Sequence, residues 1–237
     1  MTNRAIPIVA LDVSSAAEAF ELVRTLGDSC GFYKVGNELF TAEGPSIVRS
    51  LRDLGVDVFL DLKFHDIPNT VASGVRRAAA LGARLVTVHA AGGQPMLEAA
   101  QGAAGPGCGV LAVTVLTSLD GKSLGAAWGR GTVDVMEEVL RLSGLAAVAG
   151  VHGIVCSGAE AGAVRAKFGG SLAPLIPGIR LAGDETHDQR RVLTPGSAQT
   201  AGARYLVLGR AVTASREPRE AMGRVLADLA EAASIVA

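Results

Sequence analysis

The sequence predicts an α/β protein of the (β/α)8 barrel class, also called a TIM barrel, for three reasons. Short apolar segments alternate with amphipathic, Ala-rich segments along the chain, which indicates repeated βα units around a parallel sheet. Eight segments of each kind occur in strict order, and the 237 residues are close to the length that one such barrel needs. We therefore expect residues 1–237 to form a single (β/α)8 barrel domain.

The eight strand candidates are short runs of mostly apolar residues bounded by turn residues. Such runs are typical of strands buried on both faces of a parallel sheet. They are residues 6–11, 31–35, 58–62, 85–89, 109–114, 153–156, 172–176 and 205–208.

The eight helix candidates lie between and after the strands, at residues 16–26, 44–54, 70–81, 94–101, 133–148, 159–168, 197–201 and 217–233. Ser14 or Ser15 can cap the first helix, and Pro68 suits the opening of the third. Glycines mark the expected helix ends because glycine adopts positive φ without strain. They are Gly27, Gly55, Gly82, Gly102, Gly150 and Gly202.

An open, doubly wound sheet is the architectural alternative. No GxGxxG motif follows the first strand, and the count of eight units favours closure into a barrel.

Composition excludes several classes of function. The formal net charge of −1 argues against general nucleic-acid binding, and no apolar stretch approaches the ~20 residues of a membrane span. The first apolar run ends at Asp12, too early for a signal peptide, so we expect a cytoplasmic protein. Cys30, Cys108 and Cys156 show no paired spacing and are expected to be small buried side chains. The spacing of the four histidines predicts no metal site.

The segment DLKFHDIPNT, residues 61–70, places three charged side chains at the end of the third strand. Asp61 and Lys63 are two residues apart, so they share a face of the strand, and Asp66 follows just beyond it. A carboxylate beside an ammonium group can transfer protons, because each sets the ionisation of the other. A surface salt bridge is the simpler interpretation, and the segment alone does not decide between them.

Polar residues also follow the other strands, at the end of the barrel where active sites form. Asp12, Lys34, Asp61 and Lys63 come from three consecutive strands and should form a row of alternating charges. Buried ion pairs are poor sources of stability, which favours a functional role for this row over a structural one. The remaining candidates at this end are His89, Thr117, Ser118, Gly178, Arg180, Gly209 and Arg210.

The loops after strands 7 and 8 predict a phosphate site. Each loop carries a glycine and an arginine, in Pro177-Gly178-Ile179-Arg180 and in Leu208-Gly209-Arg210. Glycine lets backbone N–H groups approach an anion, and arginine adds a forked charge. The alternative is that these are ordinary turns followed by solvated arginines.

At DLKFHDIPNT the sequence resembles the orotidine 5′-phosphate decarboxylase family of bacterial type, whose pattern is Asp-x-Lys-x-x-Asp followed by Ile-Pro-Asn-Thr. Further similar segments run from end to end of the chain. They include Ala10-Leu11-Asp12, Tyr33-Lys34-Val35-Gly36, Val88-His89-Ala90, the run from Leu111 to Ser118, Asp188-Gln189-Arg190-Arg191 and Leu208-Gly209-Arg210. Two positions depart from the family pattern: Asn37, and Ala211, where the pattern has proline.

The resemblance implies decarboxylation of orotidine 5′-phosphate (OMP) to UMP and CO2 in pyrimidine biosynthesis, without cofactor or metal, by a homodimer with shared active sites. It implies that Lys63 protonates C6 of the pyrimidine and that Asp61 lies against the departing carboxylate. By the same resemblance, Asp12 and Lys34 would contact the ribose, and Asp66 and Thr70 would reach across the dimer into the partner's site. Thr117 and Ser118 would contact the pyrimidine, and Gln189 would bridge base and phosphate. The phosphate would be bound by Arg180, Gly209 and Arg210.

Two other functions remain open. One is a sugar-phosphate decarboxylase or synthase of the same superfamily, which shares the Asp-x-Lys-x-x-Asp strand but needs Mg2+. The other is a barrel without catalytic activity that binds a nucleotide phosphate as a sensor. Lys34 and Gln189-Arg190-Arg191 favour the nucleotide enzyme over the first, and the intact set of Asp61, Lys63 and Asp66 argues against the second.

Overall fold

The structure, a computed structural model, describes residues 4–181 and 193–235. In this part of the chain eight strands alternate with helices. The strands are β1 (Ile6–Leu11), β2 (Phe32–Val35), β3 (Asp57–Phe64), β4 (Leu85–His89), β5 (Gly109–Val113), β6 (Gly153–Val155), β7 (Ala173–Ile176) and β8 (Tyr205–Leu208). The helices are α1 (Ala16–Leu26), α2 (Asn37–Glu43), α3 (Ser46–Asp53), α4 (Pro68–Ala80), α5 (Gln94–Ala104), α6 (Gly121–Ala127), α7 (Val135–Val148), α8 (Gly158–Phe168), α9 (Pro195–Thr200), α10 (Arg210–Thr213) and α11 (Pro218–Ile235).

The eight strands form a closed parallel barrel, which confirms the predicted fold class. Each strand pairs with the next in sequence, and β8 returns to pair with β1. Closure leaves no exposed sheet edge and brings the C-terminal ends of all eight strands to one mouth. Loops after distant parts of the sequence therefore meet at that mouth.

Alternating residues of each strand build two separate cores. On β1, Ile8 and Ala10 face the barrel interior, while Val9 and Leu11 face the surrounding helices. The interior cluster also contains Phe32, Phe59, Leu85, Leu111, Leu175, Tyr205 and Val207. This period of two follows from the pleat of a β-strand, and it decides which polar side chains point into the mouth.

Local signals account for several helix ends. Ser15 is the N-cap of α1 and accepts a hydrogen bond from the backbone N–H of Glu18, as expected, and Pro68 opens α4. Gly102 was wrongly predicted as a helix end, since α5 continues to Ala104 and stops at Gly105, which has φ of +69°. The free C=O groups of a helix end are most easily satisfied where glycine takes a positive φ, and Gly105 is the residue that does so.

Helices α2, α6 and α10 were not predicted, because each is too short to show an apolar period.

The three cysteines are free and buried, as predicted. Burial raises the pKa of Cys108 to about 11, so this thiol is protonated at neutral pH. None of the described helices is both long and apolar enough to cross a membrane.

Candidate active site

The charged residues of the mouth continue the interior-facing positions of their strands. Asp12 follows Ile8 and Ala10, Lys34 follows Phe32, and Asp61 and Lys63 follow Phe59, each at a spacing of two residues. Deep in the barrel these positions carry apolar side chains, and at the C-terminal end they carry charges. The same alternation that packs the interior thus assembles the site.

Asp61 is the centre of the cluster. Both of its carboxylate oxygens lie 2.9 Å from Lys63 Nζ, and its Oδ2 lies 3.9 Å from Lys34 Nζ. Lys34 Nζ in turn contacts Asp12 Oδ1 at 2.7 Å. Asp61 is 9% exposed and Lys34 8% exposed, so this predicted row of alternating charges is largely removed from water at its centre. The buried carboxylate of Asp61 and the buried ammonium group of Lys34 each have an oppositely charged partner, which is what permits their burial.

Lys63 has an unusual backbone. Its φ of +51° makes it the one described residue other than glycine with positive φ. The left-handed conformation costs an L-residue about 1–2 kcal/mol. Strain of this kind persists only where neighbouring contacts enforce it, and it concentrates at functional sites.

Gly36 makes room for the contact between Lys34 and Asp12. A Cβ atom at position 36 would lie 3.0 Å from Lys34 Nζ and 3.3 Å from Asp12 Oδ1. Any larger residue would therefore press on this ion pair. The contact between Lys34 and Asp12 therefore requires the absence of a side chain at Gly36.

A cavity of about 170 Å³ opens beside the cluster. Lys34, Asp61, Lys63 and Thr117 line its polar side, and Phe59, Val113, Val155, Leu175, Pro177 and Val207 are among its apolar walls. Ligand pockets commonly measure about 300–1,000 Å³, so this cavity suits one ring of a ligand rather than a whole nucleotide. Charges on one side and apolar walls on the other would orient such a ring.

Two larger cavities, of about 720 and 620 Å³, lie at the opposite end of the barrel, around Arg84, His152 and Tyr205. In parallel barrels the N-terminal end serves stability, and chemistry occurs at the C-terminal end. We therefore place the site by its charged cluster and not by cavity size.

His89 and His65 border Lys63. Their ring centroids are 5.4 Å apart. Burial lowers the pKa of His89, and the nearby His65 and Lys63 lower it further, against a smaller opposing effect of Asp61. His89 is therefore neutral at pH 7 and adds no positive charge to the cluster.

The two predicted phosphate loops follow the neighbouring strands β7 and β8. Arg180 is 7% exposed, its Nη1 donates to the Ile179 carbonyl at 3.1 Å, and its backbone N–H donates to the Leu193 carbonyl at 3.1 Å. Arg210 is exposed at the start of α10, and Gly209 has open space where a side chain would be. Gln189 lies outside the described residues.

Asp66 and Thr70 stand apart from the cluster. Residues 65–70 are all exposed, and the Asp66 carboxylate accepts the backbone N–H of Ile67 at 2.6 Å. Among the described residues Asp66 forms no ion pair with Lys63. Ile67 is 67% exposed. Ser118 is also exposed.

Sequence reasoning missed Thr87. This residue is fully buried on β4, at the interior-facing position between Leu85 and His89, and its hydroxyl contacts Asp61. The signal that could have found it is that spacing of two, since a polar residue two before a strand-end histidine must point into the barrel. Within the described ranges, no three His, Cys, Asp or Glu side chains come together as a metal site would require.

Comparison with known proteins identifies the family. The model of the orotidine 5′-phosphate decarboxylase / HUMPS family matches residues 6–225. The orotidine 5′-phosphate decarboxylase of Anaeromyxobacter dehalogenans is 50% identical over 220 residues, which is 93% of this chain and 96% of that protein. The protein of the same name from Alcanivorax borkumensis is 46% identical over 97% of this chain and 100% of its own length.

Solved structures agree with these relatives. The crystal structure of orotidine 5′-phosphate decarboxylase from Lactobacillus acidophilus matches with a TM-score of 0.84 and 34% identity, covering 95% of this chain and 99% of that one. Fold, sequence motifs and the length matched all agree, and the chain therefore belongs to the orotidine 5′-phosphate decarboxylase / HUMPS family.

Proposed function

We propose that this protein converts OMP to UMP and CO2, the reaction named for its relatives, and so supplies UMP in cytoplasmic pyrimidine biosynthesis. The whole chain would act as one barrel domain. The observation that carries the proposal is the charged row Asp12, Lys34, Asp61 and Lys63, buried at Lys34 and Asp61, beside a small cavity with apolar walls. This arrangement supports a reaction in which a carboxylate leaves and a proton replaces it.

The chemistry requires no electron sink if the site itself stabilises charge. Breaking the bond between C6 and the carboxylate leaves an electron pair on C6, in an orbital that no neighbouring group can delocalise. The Lys63 ammonium group would stabilise that carbanion and then give it a proton. The products are CO2, UMP and a neutral lysine, which solvent reprotonates.

Asp61 would act on the leaving group. A substrate carboxylate about 4 Å from Asp61 is repelled by roughly 4 kcal/mol at an effective dielectric constant of ~20. If that repulsion vanished at the transition state, it would contribute on the order of three powers of ten in rate. The repulsion has to be offset by binding energy from the rest of the nucleotide, above all from the phosphate.

The remaining residues would bind the nucleotide. Asp12 and Lys34 at the rim suit hydrogen bonds to ribose hydroxyls, and Thr117 beside the cavity, with Ser118 next to it, suits the pyrimidine edge. Arg180, Gly209 and Arg210 suit the phosphate, and Gln189 would join base to phosphate.

We further propose a homodimer in which Asp66 and Thr70 enter the partner's site. In support, both lie on the exposed segment 65–70, together with the exposed apolar side chain of Ile67. The lack of an ion pair between Asp66 and Lys63 within the described part of one chain also fits a role in the other.

The direct test is a spectrophotometric assay of purified protein with OMP, with and without EDTA. We expect the OMP absorbance to fall and EDTA to have no effect. Normal OMP binding with unchanged absorbance would refute catalysis and favour the sensor. Loss of turnover in EDTA with recovery on Mg2+ would favour the metal-dependent alternative.

The structure disfavours that alternative. The carboxylates of Asp12 and Asp61 already contact Lys34 and Lys63, which disfavours metal binding there.

Replacing Arg210 with alanine should weaken phosphate recognition selectively. A hydrogen bond to a charged group contributes enough to predict an affinity for UMP that is about 10- to 100-fold lower. The affinity for uridine, which lacks the phosphate, should not change. Isothermal titration with both ligands measures this, and the exposed Arg49 on α3 provides the control substitution Arg49→Ala. An equal loss for UMP and uridine would contradict the assignment.

A further inference from the structure

The strand that carries Lys63 loses its regular pairing with β4 at the site. The ladder between β3 and β4 shifts register between Leu60 and Phe64. At this irregularity the backbone N–H of Lys63 donates to the hydroxyl of Thr87, at 2.9 Å, in place of a strand carbonyl. The residue with positive φ is therefore held by a side chain of the next strand.

The same hydroxyl also holds Asp61. Thr87 Oγ1 donates to Asp61 Oδ1 at 2.9 Å while it accepts from Lys63. A hydroxyl has one donor and two acceptor positions, so both bonds form at once. Thr87 is 0% exposed, and water cannot readily replace it there.

We propose that Thr87 is a positioning residue for the reaction. The Thr87 hydroxyl holds the left-handed backbone of Lys63, and this backbone directs the Lys63 ammonium group. The same hydroxyl sets the orientation of the Asp61 carboxylate, which the ammonium group contacts. Thr87 does not itself line the cavity, whereas Asp61 and Lys63 do, so it acts through these two residues. This inference rests on the proposed decarboxylation.

Thr114 offers a matched comparison. It is 5% exposed, follows β5, and its Oγ1 donates to the Val155 carbonyl at 2.8 Å. Both threonines are buried and hydrogen-bonded, but the Thr114 hydroxyl donates to a backbone carbonyl and not to a charged residue of the site. If Thr87 had only a structural role, removing its hydroxyl and removing the Thr114 hydroxyl would have the same consequences.

The experiment compares Thr87→Val, Thr87→Ser and Thr114→Val. Valine has the shape of threonine without the hydroxyl, so it leaves the Lys63 N–H without its partner and removes one of the two hydrogen bonds to Asp61 Oδ1. We expect Thr87→Val to lower kcat for OMP by about 10- to 100-fold, with UMP affinity changed less than about twofold. Thr87→Ser should restore most of kcat. Thr114→Val should lower the Tm but keep kcat within about twofold.

Two results would overturn the proposal: kcat of Thr87→Val within about twofold of wild type, or an equal loss of kcat in Thr114→Val. If Thr87→Val does not fold, Thr87→Ala takes its place. If the wild type does not turn over OMP, the proposed function fails, and crystal structures of wild type and Thr87→Val then decide the positioning role. Departure of Lys63 Nζ from Asp61 by more than about 1 Å supports it, and an unchanged contact refutes it.

Discussion

Replacing Lys63 with alanine is expected to lower kcat for OMP by about four powers of ten or more while UMP still binds. Lys63 Nζ lies 2.9 Å from both oxygens of Asp61 and lines the cavity, so it is placed to meet charge that develops on a bound ring. The product UMP carries no carbanion, and in the proposed binding mode its affinity comes chiefly from ribose and phosphate contacts. Loss of the ammonium group therefore removes an interaction of the transition state more than one of the bound product.

Single-turnover kinetics and UMP titration measure the two effects separately. Lys167→Ala, at an exposed position on α8, is the control that removes a lysine elsewhere. Removing Lys63 also leaves the carboxylate of Asp61 with Lys34 at 3.9 Å and the Thr87 hydroxyl as its partners. The Tm should therefore be measured as well. A Lys63→Ala protein that is folded and retains kcat within tenfold of wild type would refute the proton-donor role.

The barrel and the charged row could be predicted because both follow from local periodicity. The alternation that places Ile8 and Ala10 inside the barrel also turns Asp12 toward its mouth, and the same rule applies to Lys34 and Asp61. Strands β1, β4 and β8 begin and end where the sequence predicted. A period of two is visible in single residues, and it needs no knowledge of the neighbouring strands.

The conformation of Lys63 and the role of Thr87 could not be predicted in this way. Positive φ is normally announced by glycine or asparagine, and lysine gives no such signal. Here the conformation depends on a register shift between β3 and β4 and on a hydrogen bond across 24 residues of sequence. Such features are set by tertiary contacts, so local propensity carries no information about them.

Mixed dimers test the proposed homodimer, in which Asp66 serves the neighbouring site. Asp66→Ala and Lys63→Ala homodimers should both be nearly inactive, because each of their sites lacks one group. In a heterodimer of the two chains, the site with the intact Lys63 would receive Asp66 from the Lys63→Ala partner. One of its two sites would then be complete, and we expect about half of the wild-type kcat per dimer.

The geometry within one chain motivates this expectation. Asp61, Lys34 and Lys63 meet within 3.9 Å, whereas the carboxylate of Asp66 accepts the N–H of Ile67, beside the exposed side chain of that residue. If Asp66 instead acted in its own chain's site, the heterodimer would contain one site without Lys63 and one without Asp66. Its activity would then not exceed that of the two parents.

A second heterodimer gives the opposite outcome and completes the test. It pairs a wild-type chain with a chain carrying both Lys63→Ala and Asp66→Ala. With shared sites, the wild-type Lys63 faces a partner that lacks Asp66, so neither site is complete and turnover is lost. With unshared sites, the wild-type chain keeps its own complete site and about half of the activity remains. Each heterodimer can be isolated with two different affinity tags, one on each chain. Activity in the second but not in the first would refute the shared site, because each arrangement of Asp66 predicts activity in one heterodimer and its absence in the other.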